Sequence, residues 1–112
     1  MKTLALLLAG AFAIGGSAPA RMQVVAHEFS FSLSRTTLKP GTAVIELANF
    51  GQDAHDLRLQ RVGARHIAGT RVVEAGGRAE LTVKLQPGRY LFWCSVADHR
   101  ARGMRGTLLV RR

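Results

Sequence analysis

The stretch YLFWCSVADHRARGMRGTLLV, Tyr90 to Val110, holds the chain's only cysteine. Its flanks, RYLFWCSV and GTLLVRR, each read as a β-strand, and the residues between them as the connecting loop. Four residues separate Cys94 from His99, and four more separate His99 from Met104. A loop that leaves a strand end and closes at Gly106 can bend a thiolate, an imidazole and a thioether onto one point. A lone cysteine has three readings here: a buried inert thiol, an intermolecular disulfide or a metal thiolate. The histidine and the methionine close behind it favour the third.

The chain upstream of this hairpin has period two. MQVVAHEFSFSLS sets Phe29, Phe31 and Leu33 on one face and Ser30 and Ser32 on the other. TAVIELAN follows the turn Lys39-Pro40-Gly41, and HDLRLQRV alternates Leu57 and Leu59 with Arg58 and Gln60. TRVVEAGG runs into a Gly76-Gly77 turn, and AELTVKLQ sets Leu81, Val83 and Leu85 against Thr82 and Lys84. Pro87-Gly88 then turns the chain into the hairpin. Seven or eight short strands divided by Gly/Pro turns predict an all-β sandwich or barrel. Between Gly63 and Gly69 the pattern allows a helical turn.

The first twenty residues, MKTLALLLAGAFAIGGSAPA, are of another kind. Lys2, an apolar run from Leu4 to Ile14 and the pattern Ala18-Pro19-Ala20 predict a secretory signal peptide over 1–20. One domain over 21–112 is left, and the expected location is the periplasm or another exported compartment. The apolar run is shorter than the about 20 residues that span a bilayer, so no membrane span is expected. No cysteine near the cleavage pattern supports a lipid anchor. A domain this small often leans on a metal or on disulfides, and one cysteine makes no internal disulfide. A monomer is expected.

Without Lys2, fifteen Lys and Arg face seven Asp and Glu, a formal +8. Such a balance often marks a nucleic-acid binder, but export argues against that partner. An acidic protein or an anionic membrane surface fits better, and a generally basic, soluble surface is the plain alternative.

His55, in NFGQDAHDLRL, follows a polar loop and opens a strand. Loops at one end of a sandwich cluster, so His55 can meet the Cys94–Met104 loop at one pole. Two imidazoles, a thiolate and a thioether suit a soft ion. Two His and one Cys with a weak axial Met describe a blue-copper electron-transfer centre. Zinc accepts the first three ligands but gains little from a thioether.

The hairpin resembles the copper loop of the small cupredoxins, the plastocyanin/azurin family. HEFSFSLS, LKPGTAVIELANFG and the His-Asp pair of HDLRL carry the likeness further, over nearly all of 21–112. The four-and-four spacing is similar to that of rusticyanin and longer than that of plastocyanin. The resemblance implies a Greek-key β-sandwich and one mononuclear type 1 copper per chain, shuttling single electrons. Carried over by position, the ligands are His55, Cys94, His99 and Met104. Relatives often have Pro-Gly before the second histidine, where this chain has Ala97-Asp98. They often have asparagine after the first, where it has Asp56.

Other residues bear on the site. Asn49 and Asp56 read as braces of the ligand loops or as turn chemistry. Strand alternation points Trp93 outward if Cys94 points inward, either onto a docking surface or under a neighbouring loop. Arg100, Arg102 and Arg105 suggest a positive rim that steers an acidic redox partner, such as a cytochrome or reductase, to the His99 edge. His27 and His66 read as ordinary structural or surface histidines. No enzyme is expected, because four side chains fill the coordination positions and no nucleophile triad or carboxylate pair is present. Nitrite reductases and multicopper oxidases need further copper sites and domains, and a CuA centre needs two cysteines. The alternatives are a copper-handling protein with the same ligands, or a basic interaction domain that binds no metal in the cell.

Overall fold

The computed structural model describes residues 18–112. The signal peptide assigned to 1–20 therefore lies outside the described residues, apart from its last three positions. Among the described residues nine strands follow one another: β1 Ala20–His27, β2 Ser30–Leu33, β3 Thr37–Leu38, β4 Gly41–Asn49, β5 Arg58–Arg61, β6 Ala68–Gly69, β7 Arg78–Leu85, β8 Gly88–Trp93 and β9 Arg105–Val110. Two of these, β3 and β6, are only two residues long. No helix among the described residues is long and apolar enough to cross a membrane.

The strands form two sheets, β2-β1-β4-β7 and β3-β9-β8-β5-β6. β1 with β4 and β3 with β9 are parallel, and the other pairs are antiparallel. The chain crosses repeatedly from one sheet to the other, which gives the sandwich its interlocked Greek-key character. Alternation decides what lies between the sheets. Met22, Val24 and Ala26 of β1 and Ala43, Ile45 and Leu47 of β4 face inward, and so do Phe92 of β8 and Leu108 and Val110 of β9. Each large apolar side chain removed from water stabilises the fold by roughly 1.5–3 kcal/mol.

Three local expectations change. MQVVAHEFSFSLS is not one strand but a hairpin, with His27 opposite Ser30. TRVVEAGG is not a strand; only Val73 pairs, in an isolated bridge with His55. The Gly63–Gly69 stretch contains no helical residue. It turns at Val62–Gly63 and has no regular structure until β6.

The sandwich has two poles. At one, β1, β4 and β8 end and β5, β7 and β9 begin. At the other, β1, β4 and β8 begin and β5, β7 and β9 end. Gly41 (φ 111°) and Gly88 (φ 142°) make the tight turns of the second pole with backbone angles that L side chains rarely adopt.

Candidate metal centre

His55, Cys94, His99 and Met104 all lie at the first pole. His55, Cys94 and Met104 are fully buried, and His99 is 5% exposed. Cys94 Sγ is 3.9 Å from His55 Nδ1 and 3.7 Å from His99 Nδ1. These three donor atoms lie within 4.8 Å of one another.

Two different local structures bring them there. His55 is clamped by the bridge: its N–H donates to Val73 O at 3.0 Å, and its own carbonyl accepts from Val73 N–H at 2.7 Å. Cys94, His99 and Met104 sit on one tightly hydrogen-bonded loop. Cys94 N–H donates to Met104 O (3.0 Å), Met104 N–H to His99 O (3.1 Å) and His99 N–H to Val96 O (3.0 Å). The first of these closes the loop at its base and holds Met104 beside the cysteine. Val96 N–H points back at Cys94 Sγ, at 3.5 Å, a donor aimed at any charge on the sulfur.

Each imidazole has a carboxylate behind it. Glu28 Oε1 lies 2.8 Å from His55 Nε2 and also accepts from the N–H groups of Gln52 (2.9 Å) and Asp53 (3.3 Å). The hydrogen bond to His55, helped by the two backbone donors and opposed by desolvation, holds the Glu28 carboxyl below its ordinary range. An ionised carboxylate only accepts, so His55 Nε2 carries the proton and the Nδ1 lone pair is left facing the sulfur. Gly51 makes room for this contact, since a Cβ there would strike the Glu28 carboxylate. His99 repeats the arrangement more loosely: its Nε2 is 3.3 Å from Asp53 Oδ2, on a side chain 51% exposed. Sequence reading missed both carboxylates. The available signals were a glutamate inside the alternating HEFSFS stretch and an aspartate two residues before His55.

Asn49 and Asp56 act as braces. Buried Asn49 donates to Asp53 O (2.8 Å) and Val73 O (2.9 Å), and its Oδ1 accepts from Gly51 N–H (2.9 Å). Buried Asp56 accepts from Ser95 N–H (2.7 Å) and Ser95 Oγ–H (2.5 Å), and Arg58 Nε lies 3.3 Å away. It thereby ties the residue after His55 to the residue after Cys94.

Trp93 does point away from the sulfur, but it is buried beneath Arg100, whose guanidinium carbon lies 4.4 Å from the ring centroid. The loop-covered reading is the one observed. Arg102 pairs with Asp98 at 3.1 Å and lies 4.5 Å over the Phe29 ring. Phe29 in turn packs on His99, with centroids 4.9 Å apart. Arg105 reaches back to Arg100 O at 3.1 Å. Arg102 thus stands at the His99 edge through Phe29, and Arg100 and Arg105 lie on the Trp93 side of the loop. His66 is exposed and His27 half-buried in β1; neither belongs to the donor cluster.

The donor set fits a soft metal ion. Triangle edges of 3.7 and 3.9 Å are those of three donors about 2.0–2.3 Å from a common centre. Burial pushes the Cys94 thiol up, so a cation is what would turn it into a thiolate ligand.

Residues 19–111 match the family described as copper binding proteins, plastocyanin/azurin family. Solved structures share the fold. Reduced auracyanin from Roseiflexus castenholzii superposes with a TM-score of 0.69 at 19% identity, over 87% of this chain and 100% of that one. Rusticyanin from Thiobacillus ferrooxidans gives 0.65 at 18%, over 88% and 85%. A multicopper oxidase gives 0.64 at 14%, over 85% of this chain and 45% of its own. A search of curated protein sequences gave no match. With the family match and the donor set together, the cofactor is copper.

Proposed function

The chain belongs to the plastocyanin/azurin family of copper-binding proteins, and on that premise we propose that it is a periplasmic type 1 (blue) copper protein carrying single electrons between redox partners. His55, Cys94, His99 and Met104 are the side chains that would hold the copper. The observation that carries this reading is the buried triangle of two Nδ1 atoms and one Sγ, with His55 oriented through its Nε2 by the Glu28 carboxylate. When bound, copper supplies a one-electron couple between Cu(I) and Cu(II). The protein's part is to fix the donors before the metal arrives and to exclude water. A site held by backbone bonds on both the bridge and the loop rearranges little when the charge changes.

His99 is the most exposed of the four ligands, so its ring edge is the route for the electron. Arg102 at that edge, with Arg100 and Arg105 on the Trp93 side of the loop, supports an acidic redox protein as partner, such as a cytochrome or reductase. Stopped-flow kinetics of Arg102→Glu test the rim: an unchanged association rate with unchanged salt dependence removes it. With four side chains at the metal no position stays open for a substrate, which supports a carrier rather than an enzyme.

Titration of the purified chain with Cu(II) tests the centre. Intense blue colour with a narrow copper hyperfine splitting is expected, and Cys94→Ser should bind copper without colour or not at all. Rapid self-exchange between the Cu(I) and Cu(II) forms is expected of a carrier. Fast copper transfer to another protein without it would instead identify a copper-handling protein. Metal analysis of protein from its native compartment checks that copper is bound there.

A further inference from the structure

The charge of the chain is divided between the two poles in an unexpected way. Glu28, Asp53, Asp56 and Asp98 stand in the turns and loops of the copper pole. Glu74 lies in the turn whose Gly76 N–H donates to Asn49 O at the same end. Glu46 and Glu80 face each other midway along β4 and β7. Those are all seven side-chain carboxylates of the chain, and none is at the opposite pole.

That opposite pole carries an open cleft of about 790 Å³ lined by Arg35, Lys39, Lys84, Arg111 and Arg112. All five side chains are on exposed residues. None of them takes part in an ion pair among the described residues. Arg61 and Arg89, at the neighbouring ends of β5 and β8, add to the same side. The net formal charge is therefore concentrated away from copper, where the acidic side chains gather and Arg102 is paired with Asp98.

We infer that this cleft and its five cations form a docking surface for an anionic phospholipid bilayer, which leaves the His99 edge facing away from the membrane. Guanidinium and ammonium groups converging on an open cleft suit phosphate headgroups. Among the described residues the cleft has no aromatic side chain in its lining, whereas protein interfaces are anchored by Trp, Tyr and Arg in closely packed pockets. Ala18, Pro19 and Ala20 line it too. A bare cationic pole would also draw an acidic redox partner to the wrong end of the molecule. A lipid surface that neutralises it removes that competition. The inference goes beyond the electron-carrier reading and does not depend on it, because membrane binding can be measured with or without copper.

The test is co-sedimentation of the chain, as isolated from the cell, with phosphatidylcholine vesicles prepared with and without phosphatidylglycerol. Binding is expected only to the anionic vesicles, and it should weaken as salt rises. The double variant Lys84→Glu/Arg111→Glu should lose at least about 25-fold in affinity, taking about fivefold for each cation at the surface. Arg102→Glu, at the other pole, should change it less than about twofold. Retained blue absorption reports that each variant is folded; if the reversals lose it, Lys84→Gln/Arg111→Gln takes their place. Reduction of the bound copper by ascorbate should proceed equally fast on and off the vesicle. Equal losses from variants at the two poles would overturn the inference. So would binding to neutral vesicles that ignores the variants, or no vesicle binding alongside binding of polyglutamate that depends on Lys84 and Arg111. The last outcome would assign the surface to an acidic protein.

Discussion

The two histidine arms of the copper site use the same chemistry with unequal stiffness. His55 is fixed by a backbone bridge to Val73, is wholly buried, and has its Nε2 2.8 Å from a carboxylate that also binds two backbone amides. His99 rides on a loop and lies slightly exposed, with its Nε2 3.3 Å from the half-exposed carboxylate of Asp53. One arm belongs to the scaffold and the other to the surface. The rigid arm sets the geometry, and the looser arm is where a partner can approach.

The largest test of that asymmetry is Glu28→Ala. It frees the rear nitrogen of the scaffold arm, and loss of an outer partner of this kind lowers metal affinity about 10–100-fold. Competition with a copper chelator measures it. Asp53→Ala, the same deletion on the surface arm, should cost less than about threefold, since exposed pairs contribute little. Equal losses at the two sites would abolish the distinction drawn here. Asp56→Ala cuts the tie between the arms and leaves the Ser95 donors unpaired, at a cost of about 1–3 kcal/mol in denaturant unfolding of the copper-free chain. The scaffold arm also predicts an acid limb. The Glu28 carboxyl is held below its ordinary range in the fold, so its stabilisation is complete above the unfolded value and fades as pH falls through the folded one. Glu28→Gln should flatten that limb in acid titrations of the copper-free chain. The surface arm predicts one further effect. Ala97 has φ 46°, a left-handed angle that glycine adopts freely, and Ala97→Gly should raise stability by about 1 kcal/mol.

The surface arm was the more legible of the two in the sequence. Cys94, His99 and Met104 declare themselves by spacing within one hairpin, and the nearest stabilising bonds lie inside that loop. His55 could be inferred from its place at a strand start. Its orienting partner Glu28 could not, because the contact spans 27 residues and two sheet crossings. Alternation placed Trp93 on the outer face correctly, but the guanidinium that covers it is set by the path of the loop. TRVVEAGG has strand-like composition yet pairs only at Val73, because Thr70 N–H is taken by Leu57 O and the turn at Gly76 is tied to Asn49. The exposed cations were visible as a total. Their collection at one pole was not, because it depends on which strand ends the topology puts together.

The two parallel pairings have one more consequence. β1, the first strand, lies alongside β4, and Leu38 of β3 pairs with Val110 near the chain's last residue. Neither pairing can be made by a tight turn, and such non-local closure comes late in folding. A polypeptide threaded through a translocation channel, leading end first, cannot complete its second sheet until the final strand has emerged. If this chain is exported in that way, its copper pocket would be assembled only on the far side of the channel, and the metal would be loaded there rather than carried through.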